Sequence, residues 1–230
     1  MNIDLRLGDC LEILKTISDD SIDLVVTSPP YNKNYWLRNR NQKGKRIITY
    51  DSIDDSMHPD DYVTNQMNVL NQLIRVIKST GSIFYNHIDI FHKHRTIHPS
   101  YVYNYPLKQI IVWDRGNTPK LDKSYFLPTT EYFFWIKKTK DAIPYFDRTQ
   151  SVHKKNIWRI NKEKNNPHPA PFPLEIVDNI IKSCSRENDL ILDCYLGSGT
   201  SCISAINNNR NFIGIDISES YLEMTKKRYA

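Results

Sequence analysis

Residues 22–32, IDLVVTSPPYN, restrict what this chain can fold into more than any other stretch. Leu24, Val25 and Val26 form an apolar run with the length and branching of a strand buried on both faces, as in a parallel sheet. Pro29 and Pro30 lack the N–H that a sheet ladder needs, so the strand must end before them. Pro29 also pushes Ser28 into an extended conformation. The product is a stiff lip at a strand's carboxyl end, where open α/β sheets hold their ligands. Ser28 Oγ and the lip carbonyls are acceptors, and Tyr31 adds a flat aromatic face. Together they suit a planar ring carrying an exocyclic amino group.

A second constraint lies near the other end. Leu190, Ile191 and Leu192 read as a buried strand leading to Asp193, and Gly197-Ser198-Gly199 as the turn into a helix with Cys202, Ile203 and Ile206 on one face. Glycine there permits positive φ and close approach of a ligand to the backbone. A further strand, residues 212–215, ends in Asp216, whose carboxylate can accept both hydroxyl hydrogens of a ribose. Cys202 stands where a dinucleotide motif has its third glycine, which disfavours a pyrophosphate site. A nucleotide site of another kind stays open on these residues alone.

Ser28-Pro29-Pro30-Tyr31 after an apolar strand resembles the catalytic motif of amino-methylating DNA methyltransferases. Those enzymes move a methyl group from S-adenosylmethionine to N4 of cytosine or N6 of adenine. Asp193 with Gly197, Gly199 and Thr200 resembles their cofactor loop, and residues 166–176 (NPHPAPFPLEI) resemble the His-Pro segment that precedes it. The lip comes first and the glycine loop last, which resembles the β group, a circular permutation of the common order. The resemblance implies one α/β domain over residues 1–230 with a Rossmann-like methyltransferase fold, its sheet mostly parallel with an antiparallel hairpin. It implies S-adenosylmethionine as cofactor, with Asp9 toward the adenine amino group, Asp193 toward the amino acid end and Asp216 on the ribose. Cys10, Ser28, His168, Pro169, Leu196, Gly197, Ser198, Gly199, Thr200 and Ile217 complete that expected site. For Asp9 a helix N-cap is the equal alternative.

Catalysis is expected from Ser28, Pro29, Pro30 and Tyr31. The Ser28 hydroxyl and the Pro29 carbonyl would take the two amino hydrogens of a flipped base, with Tyr31 stacked on its ring. Serine before Pro-Pro-Tyr is more typical of N4-cytosine enzymes, and Asp or Asn of adenine enzymes. Cytosine N4 is therefore the expected target and adenine N6 the alternative. A protein or RNA methyltransferase is a rival, since glutamine-methylating enzymes also carry Pro-Pro-Tyr lips, but usually with Asn before them and the glycine loop upstream. A nicotinamide oxidoreductase is disfavoured by the missing third glycine, and a non-catalytic DNA-binding module would leave lip and loop unexplained.

The net charge of +5 matters less than its distribution. Residues 24–50 hold no acid but contain Lys33, Arg38, Arg40, Lys43, Lys45 and Arg46, directly after the lip. A second basic stretch has His153, Lys154, Lys155, Arg159, Lys162 and Lys164. Interleaved with Tyr35, Trp36 and Trp158, these read as phosphate contacts on double-stranded DNA. Residues 33–56 are expected to form a mobile basic loop that closes over the target base. Residues 137–165 are the expected target-recognition region. The β-group resemblance is compatible with a homodimer and with a cognate restriction endonuclease.

Remaining expectations concern partners and elements. No apolar run approaches the ~20 residues of a membrane span, Asp4 and Arg6 interrupt any N-terminal signal, and four cysteines without ligand spacing suit a reducing cytoplasm. No metal site is expected, since His87, His92, His94 and His98 lack companion ligands and read as an exposed surface helix. A helix over residues 59–78 shows Val63, Met67, Leu70, Ile74 and Ile77 as one apolar stripe, stopped by Gly81. Residues 82–86, 107–113 and 130–136 read as strands, the last two as a hairpin. Residues 172–184 read as a helix, and Ser218 as the cap of the last one.

Overall fold

The computed structural model describes residues 1–38, 55–92, 95–116, 125–162 and 172–229. Among them, five strands lie side by side and parallel: β1 (Ile3–Leu7), β10 (Asn211–Asp216), β9 (Leu190–Asp193), β2 (Ile22–Thr27) and β3 (Ile77–His87). β7 (Thr130–Ile136) pairs antiparallel with β3, β6 (Leu107–Asp114) antiparallel with β7, and β8 (Ile157–Arg159) closes that edge parallel to β6. The alternation of β2 explains its central place. Val25 joins the core on one face, while Leu24 and Val26 join the core on the other.

Helices cover both faces. α1 (Cys10–Leu14) and α3 (Pro59–Val76) press Leu14, Val69, Leu70, Leu73 and Val76 onto Val25, Tyr85 and Leu192. α4 (Leu174–Cys184), α5 (Thr200–Asn207) and α6 (Glu219–Tyr229) bury Ile176, Ile180, Cys202, Ala205 and Leu222 against Leu24, Phe84 and Phe212. The chain leaves β9 toward β10 and leaves β2 toward β3, in opposite directions across the sheet. That reversal opens a crevice between the carboxyl ends of β9 and β2, the topological switch point at which such sheets bind ligands. None of the described helices is long and apolar enough to cross a membrane.

The expected α/β class, mostly parallel sheet, hairpin and permuted order are all present; four local readings are corrected. The histidine stretch is not a surface helix. His87 ends β3, β4 (Ile90–His92) pairs with β5 (Arg95–Ile97), and His87 and His92 are buried. A stretch so rich in ring side chains packs as short strands because Tyr31, Trp36 and Tyr62 supply ring partners for these imidazoles. The inward face of α3 is also rotated from the expected stripe: Gln66, Val69, Leu70, Leu73 and Val76 are buried, while Val63, Met67 and Ile74 pack at its margin.

Gly81 does not stop α3, which ends at Val76 where Ile77 turns extended and starts β3. A Cβ at residue 81 would lie 2.7 Å from the Asp23 carbonyl, so glycine serves a close approach of β3 to β2. Finally, the segment after the lip opens as a helix, α2 (Lys33–Arg38), before residues 39–54, which lie outside the described residues. Asp55 returns to cap it, accepting the Asn32 N–H at 2.5 Å and the Lys33 N–H at 2.9 Å. A carboxylate on those free N–H groups satisfies the helix dipole and pins the lip from behind.

Candidate active site

The cleft at the switch point encloses about 940 Å³, the solvent at its mouth included, and is built from the carboxyl ends of β1, β2, β9 and β10. Asp9, Cys10, Ser28, Pro29, Pro30, Tyr31, Asp193, Leu196, Gly197, Ser198, Thr200, Asp216 and Ile217 all line it, although they are spread over more than two hundred positions of the chain. Gly199 stands just behind. It takes φ 77° at the start of α5, and a Cβ there would meet the Thr225 side chain at 2.3 Å. His168 and Pro169 lie outside the described residues. Sequence reasoning missed Phe172, Tyr195, Ser201 and Tyr221, which also line the cleft. Tyr221 follows Ser218 by three residues at the start of α6, a spacing that could have indicated it.

Three carboxylates hold different positions in this wall. Asp9 is the N-cap of α1, accepting the Leu11 N–H at 2.9 Å and the Glu12 N–H at 3.3 Å, and it lines the cleft as well. The two readings of Asp9 are therefore compatible. Asp216 accepts the Gly197 N–H at 2.8 Å on one oxygen and the Ser218 N–H at 2.9 Å on the other, which fixes the glycine loop over the end of β10.

Asp193 is buried and already engaged. It accepts Thr27 Oγ1 at 2.8 Å, the Tyr195 N–H at 3.1 Å and Ser201 Oγ at 2.6 Å. Burial pushes its carboxyl up to about 6, against the opposing pull of those hydrogen bonds. The Thr27 bond is consequential, because Thr27 directly precedes Ser28: it ties the lip to the glycine loop. An otherwise apolar cleft with acceptors at three points fits a ligand carrying donors at separate ends, as S-adenosylmethionine does with its amino, ribose and ammonium groups.

At the lip, Ser28 Oγ lies 2.8 Å from Tyr31 OH and 3.2 Å from Asn86 Oδ1, and Tyr31 OH also donates to Asn86. Tyr62 donates to the Pro30 carbonyl at 2.8 Å. His87 supports Tyr62 through Nε2 at 2.9 Å and accepts the Ile88 N–H at Nδ1. Burial lowers His87 to about 4, so its ring is neutral at physiological pH.

Tyr31 is buried at the lip. Its ring is 4 % exposed, packs at 5.1 Å on His87 and carries Lys33 Nζ 4.8 Å from its centroid. A base cannot stack there until the Lys33 side chain moves.

The DNA-contact candidates separate. Lys33 turns into the site, where burial first, and then the Lys162 and Arg115 charges, lower its ammonium to about 8. Its ammonium lies over the Tyr31 ring at the lip. Arg38 closes α2, while Arg40, Lys43, Lys45 and Arg46 lie outside the described residues. Lys154, Lys155 and Arg159 are exposed, and Lys154 Nζ donates to the Arg148 and Thr149 carbonyls. Trp158, in contrast, is buried against Phe133 with its ring N–H on the Lys155 carbonyl, because β8 belongs to the sheet edge. It stacks on protein, and the expected recognition stretch is in part core.

Over its full length the chain shares the fold of the PvuII DNA methyltransferase (cytosine-N4-specific), with TM-score 0.79, 20 % identity and 87 % of that chain covered. TTHA0409 of Thermus thermophilus, solved in complex with S-adenosyl-L-methionine, matches 99 % of the chain and 93 % of its own at TM-score 0.72 and 23 % identity. The fold is that of S-adenosylmethionine-dependent methyltransferases. The N6_N4_Mtase family model, described as DNA methylase, matches residues 22–227, and the chain belongs to that family. Its lip-first motif order puts it in the β group of amino-methyltransferases, with S-adenosylmethionine as methyl donor. Among its relatives are the Type II methyltransferase M2.MboI of Moraxella bovis, 28 % identical over 99 % of this chain and 88 % of that protein, and M2.DpnII of Streptococcus pneumoniae, 26 % identical over 96 % and 87 %.

Proposed function

We propose that this DNA methyltransferase modifies the exocyclic N4 of cytosine at a short duplex site, as the modification partner of a restriction endonuclease. The observation that carries the reading is Ser28, a neutral hydroxyl at the lip of the cofactor cleft, where adenine enzymes of this resemblance carry Asp or Asn. The endonuclease partner is supported by the Type II names of the relatives. A cytoplasmic setting agrees with four free, buried thiols.

S-adenosylmethionine, when bound, would supply an electrophilic methyl group. Asp216 would hold its ribose hydroxyls, Asp9 its adenine amino group, and Asp193 with the glycine loop its amino acid end. The amino nitrogen of a nucleobase is a poor nucleophile because its lone pair is delocalised into the ring. Ser28 Oγ, with the Pro29 carbonyl, would draw its two hydrogens out of the ring plane and aim the lone pair at the methyl group. Tyr62 and Asp55 keep the lip rigid for that alignment. Lys33 would leave the Tyr31 ring as the flipped base arrives, its charge then facing the phosphate backbone. A covalent cysteine route is disfavoured. Burial pushes Cys10 up to about 11, Cys184 and Cys202 to about 12 and Cys194 well above the ordinary thiol range, so all four stay protonated.

The test is Ser28→Ala. Cofactor affinity by calorimetry should stay within about threefold, while transfer should fall ~10²–10³-fold, the loss seen when a preorganised polar group is removed from a reacting centre. A fully active Ser28→Ala enzyme would take the hydroxyl out of the mechanism.

A further inference from the structure

A serine hydroxyl has one hydrogen and two lone pairs and turns freely, so by itself it can donate to a carbonyl or accept from an amine. Building on the reading of Ser28 as the group that meets the target base, we propose that Asn86 and Glu131 are positioning residues that lock Ser28 as an acceptor. They thereby select a flipped base with an exocyclic amine and reject one with a carbonyl at that position.

The hydrogen-bond pattern has one consistent direction. Asn86 is fully buried on β3, and its Nδ2 donates to the Tyr132 carbonyl on β7 at 3.1 Å. That bond assigns the amide orientation, so Oδ1 faces Ser28 Oγ and Tyr31 OH and can only accept. Glu131, also on β7, is held by Arg115 at 3.0 Å, with side-chain exposures of 9 % and 11 %. The guanidinium can only donate, so the Glu131 carboxylate accepts from it. Its second oxygen lies 3.4 Å from Tyr31 OH, a long contact that adds a weaker pull of the same sign.

Two hydroxyl protons therefore meet two accepting groups inside the protein. The Tyr31 proton goes to Asn86 or Glu131, and the Ser28 proton goes to Tyr31 or Asn86. Both point inward. The Ser28 lone pairs remain for the cleft. Cytosine and adenine present N–H donors at that position, whereas thymine and uracil present a carbonyl oxygen. An inward-polarised Ser28 bonds the first pair and repels the second. A neutral serine thus acquires the acceptor-only character that a carboxylate has intrinsically. Neither Asn86 nor Glu131 need touch the base.

Asn86→Leu and Asn86→Asp separate this from a purely structural role. Both lose the amide that donates to Tyr132, but only Asp keeps an acceptor facing the hydroxyls. The readouts are single-turnover methyl transfer to unmodified DNA, KM for DNA, and thermal stability. Asn86→Leu should lose about a hundredfold in rate with KM within about threefold, while Asn86→Asp stays within about tenfold of the parent. Glu131→Gln should lose about tenfold alone and little more when added to Asn86→Leu, since both act through the same hydroxyls. Tyr31→Phe, which keeps the ring, should lose about tenfold and gives the same reading if Asn86→Leu does not fold. Equal losses in Asn86→Leu and Asn86→Asp, or full rates in Asn86→Leu and Tyr31→Phe, overturn the proposal. If Ser28→Ala is inactive in that second case, only the proton ordering falls. If Ser28→Ala is active, the reading of Ser28 falls with it.

Discussion

Asp193→Asn should separate folding from cofactor capture. The carboxyl of Asp193 is raised from 3.8 to about 6 because it is buried, so the folded chain holds it less willingly as an anion than the unfolded chain does. The folded state binds more protons between those two values, and stability must fall as pH rises through them. Two pH units at about 1.4 kcal/mol each put the cost at neutral pH near ~3 kcal/mol as an upper bound.

Asparagine fits the same cage. Its Oδ1 can keep Thr27 Oγ1 and the Tyr195 N–H, and its Nδ2 can donate to Ser201 Oγ, which needs only to rotate its hydrogen. Urea unfolding of the cofactor-free proteins should find Asp193→Asn equal to the parent or slightly less stable near pH 4. It should be more stable by ~1–3 kcal/mol above pH 6.5. Cofactor affinity should drop in the same variant, because the negative charge proposed to meet the ligand's ammonium is gone. A variant less stable than the parent at pH 7.5, with a difference that does not change with pH, would refute the reasoning.

Other substitutions test separate parts of the cleft. Asp216→Ala removes acceptors for the Gly197 and Ser218 N–H groups along with the proposed ribose contact, so calorimetry should show cofactor binding weakened by ~2–3 kcal/mol. Gly199→Ala sets a Cβ 2.3 Å from the Thr225 side chain at φ 77°, and should cost ~1–3 kcal/mol in denaturant unfolding, part of it recovered by adding Thr225→Ala. Leu192→Ala, fully buried between the sheet and α3, should cost ~2–5 kcal/mol with the cofactor site chemistry unchanged.

Much of the scaffold is legible in the sequence because its signals are local. The apolar runs of β2, β9 and β10, the prolines after β2 and the glycines after β9 each state their own conformation, and together they mark the cleft. The lip and the acids Asp193 and Asp216 come from the same stretches, and Asp9 from the turn after β1. What escapes depends on partners distant in sequence. Asn86 and Glu131 are ordinary strand residues until β7 pairs with β3 and brings both beside Tyr31. Lys33 reads as a phosphate contact, and its place over the Tyr31 ring shows only once α2 forms. The buried face of α3 departs from the apolar stripe because Gln66, a polar side chain, faces inward to accept Tyr85 OH at 2.7 Å. His87 and His92 read as exposed for the same reason, their ring and hydrogen-bond partners being remote in the chain.

The most direct test of the central claim is nucleoside mass spectrometry on DNA from cells that express this protein and lack other amino-methyltransferases. N4-methylcytosine, absent when Ser28→Ala is expressed instead, is the predicted result. N6-methyladenine in its place would contradict the assignment of the base, and unmodified DNA from cells making folded, cofactor-binding enzyme would contradict the account of the cleft as a DNA-methylating site.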